Sequence, residues 1–567
     1  MKKILAIILT VALMCSLFAG CGSSAPQEAA PAVPEKPATV EDLTSDVAQG
    51  TASAASEGDD KLVVVAISQD CAPLSPFAGG KDIRSYVQHQ LYQPLFRYDG
   101  YGGDLVPCVG KSYNQVDEYN CEVEIYDCVY DSDGNHLTAS DVKFSLETAL
   151  ASGNYARIAD IESVEVVSDY IVNIHFKNSL NTVGVLENCL TETYMVTEKA
   201  YNKTEDHLAT ISCGTGRYEI AEYIEGASVL VTKREDYWQK DESLITKYDQ
   251  ANVGAIRYDI ITDASSRTVG MQGGAIQFNA FLNANDYVFF EDGGENADDF
   301  NILATKTPYL YAYTFNLHED SAMYNKNLRL AFAHAINRAD VGVAAFGPGA
   351  IEAHADASAT YVGYQSEWDS GDFYDGQDFL EYNPELATEY LNKYLEETGK
   401  KLSDVKIRIY VSGMAGMDVC ATLAQAYLAA IGIDDVEVKV LDNATMTETK
   451  KDPTAWEVTF FVGYASKYAA SNWKLMYDRR DQSDNRAYSD LYDDVLQEKL
   501  EKVITVDGYT PENIIDFNNY IEENALELPV CGLYQRLVYP SYVLECLTDA
   551  RGIPMPGACV YDWTLAG

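Results

Sequence analysis

The chain reads as a mixed α/β protein of at least two domains, on three observations. Short β-rich runs alternate with helical patterns along the folded length instead of segregating into blocks. The opening run, Lys61-Leu62-Val63-Val64-Val65-Ala66-Ile67, is continuous in apolar and β-branched residues, as a buried strand would be. Residues 61–567 are also too many for one small core.

Two segments of different character precede that folded part. Lys2 and Lys3 lead into an apolar run, Ile4 to Phe18, short for a membrane span and apt for an export signal. The run closes on Leu17-Phe18-Ala19-Gly20-Cys21, which resembles the bacterial lipobox, with Phe18 where Leu is commoner. That resemblance implies removal of residues 1–20, a lipid on Cys21 and a protein held on the outer face of the cell membrane. An ordinary signal peptide cut nearby, with Cys21 incidental, is the plainer alternative. Residues 21–60 are small residues, prolines and acids that bury too little to offset their ordering entropy, so they read as a tether. No later stretch reaches about 18 continuous apolar residues, so no second span is expected.

Further along, Cys121, Val123 and Ile125 alternate with Glu122 and Glu124, the pattern of a half-buried strand. Val164–Val167 and Ile171–Phe176 read as a pair joined at Ser168-Asp169-Tyr170. Four helices are signalled. Thr138 and Asp141 form a capping-box variant ahead of the stripe Val142, Leu146, Ala149 and Leu150. Leu328, Phe332, Ala335 and Ile336 make a second stripe. Asn383-Pro384 starts a third, through Leu386, Tyr390, Leu391 and Tyr394 to a stop at Gly399. Leu423, Tyr427, Leu428 and Ile431 line the fourth, ended by Gly432. All four stripes are expected to face a core.

Composition excludes several functions. Against 41 basic residues stand 87 acidic ones, a net charge of −46, which argues against nucleic acid as a partner. Twelve cysteines include no close C-x-x-C pair, and no histidine stands at zinc-like spacing, so no metal site or cofactor is expected. The cysteines should be mostly buried thiols, with room for a bridge or two. No phosphate-binding glycine loop, H-E-x-x-H pair or G-x-S-x-G elbow is present, and Gly214-Thr215-Gly216 lacks the third glycine of a dinucleotide loop. An enzyme is therefore not expected. The 41 tyrosines suit a protein that encloses a ligand, although any single one more often packs in a core.

Several phrases, in order, resemble landmarks of the family 5 extracellular solute-binding proteins, the dipeptide- and oligopeptide-binding group. They are Leu91-Tyr92-Gln93-Pro94-Leu95-Phe96-Arg97-Tyr98-Asp99, then Asp104-Leu105-Val106-Pro107 and Asp133-Gly134-Asn135-His136-Leu137-Thr138-Ala139. Gly214-Thr215-Gly216-Arg217-Tyr218, Asp236-Tyr237-Trp238, the helix from Asn327 to Arg338, Ala430-Ile431-Gly432-Ile433 and Tyr488-Ser489-Asp490-Leu491 follow. The resemblance implies a two-lobed, periplasmic-binding-protein-like fold (type II, cluster C) with a two-strand hinge. Lobe 1 would be 61–310, with 92–208 as an extra subdomain, lobe 2 would be 311–526, and 527–567 would return to lobe 1.

The same resemblance implies capture of a small solute, a short peptide first of all, and delivery to the permease subunits of an ABC importer. An oligosaccharide or other polar solute is the alternative; a secreted hydrolase or peptide-signal receptor is the alternative of a different class. Peptide binders of the family commonly place an Asp soon after a Gly-Trp pair, where it meets the peptide's ammonium. Here Gly463, Tyr464 and Ser466 occupy that stretch and Lys467 stands about where the Asp would be, which favours a carboxylate or an uncharged polar ligand. The loop Asp70 to Lys81, with Gly80 and Lys81 at its end, and Trp473 as a pocket wall complete the expected site; the alternative is that the loop and Trp473 are ordinary loop and core and that Lys467 points to solvent.

Overall fold

The computed structural model describes residues 62–78, 83–99, 103–245, 250–279, 282–283, 285–370, 378–414, 416–463, 467–478, 491, 493–546 and 563–565. The leader, the tether, Cys21, Gly80, Lys81, Tyr464 and Ser466 lie outside the described residues. The run that opens the folded part becomes the strand Leu62–Ile67, flanked in a five-stranded sheet by the parallel strands Ala255–Ile260 and Phe278–Asn279. A parallel strand covered on both faces must be apolar throughout. Val63, Val65 and Ile67 accordingly enter the larger core, while Val64 and Ala66 join Met271, Ile276, Phe290 and Phe300 in a smaller one. Ser228–Lys233 and Tyr218–Ile224 extend the sheet in antiparallel fashion.

A second, antiparallel sheet is ordered Gly110–Gln115, Asn120–Ile125, Ile171–Phe176, Ile161–Ser168. Its alternation is the one read from sequence, with Cys121, Val123 and Ile125 buried. The helix Ala139–Ser152 packs Val142, Leu146 and Ala149 into the same core. At its start the Thr138 amide and hydroxyl both donate to the Asp141 carboxylate, at 2.8 and 2.7 Å. Such an N-terminal arrangement contributes about 1 kcal/mol.

Three phrases of the sequence meet beside the helix Ile83–Leu91. Gly216 N donates to Leu91 O at 3.0 Å. A Cβ on Gly214 or Gly216 would stand 2.0 Å from the carbonyl oxygen of Leu91 or Gln90, so both positions require glycine. The buried Arg234 guanidinium donates to Gly214 O and Gly216 O at 3.0 Å and to Asp131 O at 3.1 Å. Trp238 Nε1 reaches Thr215 O and Gln93 Oε1, each at 3.0 Å. These phrases are scaffold: they hold the turn 131–135, the end of one helix and one strand entry together.

The third sheet has six strands in the order Ala350–Glu352, Glu527–Pro540, Phe300–Phe315, Val458–Gly463, Lys406–Ser412, Asp435–Leu441. Two of them are long, Phe300–Phe315 with 16 residues and Glu527–Pro540 with 14. They pair antiparallel from Phe300↔Pro540 to Thr314↔Glu527, with the register interrupted between Lys306 and Leu310. On one side of the interruption Phe300 and Val538 pack with Val64 and Ala66, and Leu537 enters the larger core. On the other side Tyr311, Tyr313, Phe315, Leu528 and Val530 belong to a separate core drawn from residues 311–531 and Val183. The molecule is two-lobed, and this strand pair serves both lobes.

The helix Pro384–Thr398 begins and ends as its spacing predicts, with Asn383 Oδ1 accepting from Leu386 N at 3.1 Å and Gly399 at φ 67°. Lys326–Ala335 is a helix one residue shorter than its stripe, because Ile336 is already extended. Met417–Ala430 differs from expectation on its face. Met417, Cys420, Ala421, Ala424 and Leu428 are buried, whereas Leu423 and Tyr427 are only half-buried. Small side chains let this helix lie close to the sheet, and the large ones are displaced to its margins. All nine described cysteines are free thiols, seven of them buried. Burial pushes the Cys121 and Cys420 thiols up to about 12. Among the described residues no helix is long and apolar enough to cross a membrane.

Candidate functional site

Gly463 ends the strand Val458–Gly463 in a buried position. A Cβ there would lie 3.2 Å from Asn472 Nδ2, so a larger residue would press on the helix Ala469–Tyr477. Lys467, which opens the way into that helix, is fixed through its backbone, its carbonyl accepting from Val362 N at 3.0 Å. Its side chain crosses to residues far away in sequence. Nζ donates to Gly103 O at 3.1 Å and lies over the rings of Tyr98 and Tyr468, 5.5 and 5.4 Å from their centroids.

Tyr468 anchors the other wall. Its hydroxyl donates to Glu187 Oε1 at 3.2 Å, and its ring meets Tyr509 edge-on at 5.2 Å. Tyr509 OH donates to Val362 O at 2.8 Å and accepts from Ala469 N at 3.1 Å, which locks the loop 362, the segment 467–469 and residue 509 together. Burial and the neighbouring Glu187 carboxylate hold the Tyr468 hydroxyl well above its ordinary range, so it stays a neutral donor.

The chemistry of this constellation follows from a proton count. An ammonium has three donors. Gly103 O takes one, and no carboxylate pairs with Lys467 among the described residues. Cation–aromatic contacts stabilise such a charge by about 0.5–2 kcal/mol without neutralising it. The arrangement therefore presents a cation, walled by two tyrosines, that can take a carboxylate or carbonyl oxygen.

The structure brings Gly463 and Lys467 together in one segment. Trp473 stands behind that segment, inside the second core. It is fully buried, packs on Phe517 at 4.8 Å and donates from Nε1 to Asp356 O at 2.8 Å. The described part of the 70–81 loop is packed in as well. The Asp70 carboxylate accepts from Ala72 N and Gly226 N at 2.9 Å, and Leu74 and Phe77 are buried in the first core. Sequence reasoning missed Tyr98, Gly103, Tyr468 and Glu187. Tyr98 lay within a quoted landmark, but nothing local signals that it faces a lysine hundreds of residues later.

Comparison with known proteins agrees with this architecture. The family described as bacterial extracellular solute-binding proteins, family 5 Middle, matches residues 104–486. The oligopeptide-binding protein AppA of Bacillus subtilis (strain 168) is 22% identical over 442 residues, covering 69% of this chain and 75% of its own. Among solved structures, an ABC transporter-associated periplasmic binding protein DppA from Helicobacter pylori, in complex with the peptide STSA, superimposes with a TM-score of 0.70. It is 18% identical, over 90% of this chain and 98% of its own. NikA from Brucella suis in complex with Fe(III)-EDTA gives the same score and identity over 89% of this chain and 100% of its own. With the two lobes, the strand pair they share and a match over well over half its length, the chain belongs to the family 5 bacterial extracellular solute-binding proteins, and is a solute-binding protein, not an enzyme.

Proposed function

We propose that the protein is the extracellular receptor of an ABC importer, lipid-anchored at Cys21, that encloses short peptides between its lobes and hands them to the permease. The lobes are taken as 61–310 with 527–567 and 311–526, with 92–208 as a subdomain; the change of core near residue 310 supports the first boundary, whereas Leu528, Val530 and Cys531 pack in the second core and 92–208 shares the first. The names of the relatives support peptides as the ligand class. Lys467 is the single observation that carries the specificity: a cation with two open donors among the described residues repels a peptide's ammonium and attracts its carboxylate. Gly463, Tyr464, Ser466, Gly80 and Lys81 are proposed to contribute further contacts to the solute. The same lysine favours a second reading, a non-peptide anionic solute, and the Fe(III)-EDTA complex of a protein with this fold supports it.

A thermal-shift series tests the reading, using free peptides, N-acetylated and C-amidated peptides, oligosaccharides and nickel salts. Free and N-acetylated peptides should stabilise the protein, by about 2.7 kcal/mol at a hundred times the dissociation constant, and C-amidated ones much less. Lys467→Met should weaken peptide binding about tenfold, near 1.4 kcal/mol, with little change in the ligand-free melting temperature. Binding that survives Lys467→Met but is lost on Ser466→Ala would sink the assignment of Lys467. A shift with sugars alone would keep the fold and replace the ligand class. Cys21→Ser should release the protein from the cell membrane into the medium.

A further inference from the structure

Besides the paired strands 300–315 and 527–540, the two cores meet at a second place, where a loop of the first reaches into the second and returns. The loop 177–184 leaves the four-stranded sheet with Leu180 buried in the first core and, three residues later, Val183 buried in the second. Thr182 forms an isolated antiparallel bridge with Thr505. Val183 N donates to Ile504 O at 2.8 Å, and Val506 N donates to Asn181 O at 2.6 Å. Gly184 adopts φ 80°, and a Cβ there would stand 2.5 Å from Ser471 Oγ. The contacts continue beside it: Tyr468 with Glu187, Lys474 with Asp160 at 3.8 Å, and Lys467 with Gly103.

Two features mark this joint as separable. The bridge is a single residue pair with no strand on either side. The loop is otherwise held within its own half: Leu180 N donates to Glu118 O at 2.7 Å, and Lys177 donates to Asp160 O from its amide and to Ala159 O from Nζ. It therefore keeps its shape when the bridge opens. One valine, two backbone hydrogen bonds and the three side-chain contacts beside them are a fastening that thermal motion can undo, unlike the long ladder at the hinge.

We propose that the loop 181–184 is a strap that fastens the two lobes in the arrangement seen here, and that its unfastening limits how fast captured solute leaves. The kinetic part rests on the solute-binding reading above; the fastening itself does not. Thr182 and Thr505 face each other as a non-hydrogen-bonded pair, whose Cα atoms lie about 4.5 Å apart. That is within the span of a disulfide. The double variant Thr182→Cys/Thr505→Cys, with the exposed Cys128 changed to Ser, should oxidise to a crosslink mapped by mass spectrometry. Once oxidised, it should release a pool of labelled tri- to nonapeptides at least tenfold more slowly than when reduced. Val183→Ser, which removes apolar contact, and Gly184→Val, which crowds Ser471, should each speed release at least fivefold. Both should also raise the ligand-free radius of gyration in X-ray scattering. Equal release from oxidised and reduced protein overturns the kinetic claim. Identical radii of gyration for wild type, Val183→Ser and Gly184→Val overturn the strap itself. Scattering needs no ligand, so it decides the strap even if the peptides fail to bind.

Discussion

Asp356, Glu522 and Glu527 sit almost completely buried behind the segment that carries Lys467. The Glu527 carboxyl, whose Oε1 accepts from Thr314 Oγ1 at 2.6 Å, is an electrostatic neighbour of Asp356, and Tyr477 OH lies 3.4 Å from Asp356 Oδ2. Burial first, and then the Glu527 charge, push the Asp356 carboxyl well above the usual range; burial does the same for Glu522 against the pull of Arg338. A raised carboxyl keeps its proton in the folded state after the unfolded chain has released it. The folded state then binds more protons, and stability falls as pH rises above about 4, the ordinary carboxylate range. Asp356→Asn removes one titration. Urea unfolding between pH 5 and 7 should show its stability falling less steeply than that of wild type, by up to about 1.4 kcal/mol per pH unit. Equal slopes would mean that Asp356 is ionised in the folded protein.

Elements were legible wherever the signal was local. Asn383-Pro384 and Gly399 bound one helix as read, because caps act through neighbouring backbone alone. Asn383→Ala should accordingly cost about 1 kcal/mol in the same unfolding assay, with no effect on solute binding. The strand of Cys121, Val123 and Ile125 was equally plain, since a sheet with one wet face imposes a period of two. The helix Met417–Ala430 was legible at its C-terminal end but not in its start or facing, because Met417, Cys420, Ala421 and Ala424 lie outside the stripe from Leu423 to Ile431 and are nevertheless buried. The site was least legible. Gly463 and Lys467 stand in one short phrase, whereas Tyr98 and Gly103 meet Lys467, and Glu187 meets Tyr468, only through the tertiary fold. Trp473, open in sequence to reading as a pocket wall or as ordinary core, is placed in the core by its burial.

At the scale of the molecule, ordered landmarks predicted the architecture because they are its structural joints. Gly214, Gly216, Arg234 and Trp238 hold separate stretches together through backbone carbonyls, and such geometry tolerates few replacements. Net charge is a property of the whole chain too. With −46 distributed over the molecule, self-repulsion opposes compactness and salt screens it. Raising sodium chloride from 10 to 150 mM should therefore raise the melting temperature; a fall would mean that surface ion pairs outweigh the repulsion.

The long strand pair also dictates an order of events during synthesis. Phe300–Phe315 emerges from the ribosome more than two hundred residues before its partner Glu527–Pro540, and Leu537, Val543 and Trp563 complete the first core only after that. Until then a sixteen-residue strand offers one unpaired edge to any neighbouring chain, the kind of surface that seeds aggregation. The second core waits for Leu528, Val530 and Cys531 and the first for Trp563, so a nascent chain stays loose through most of its manufacture, and a product truncated near residue 526 is a natural target for holding chaperones and proteases.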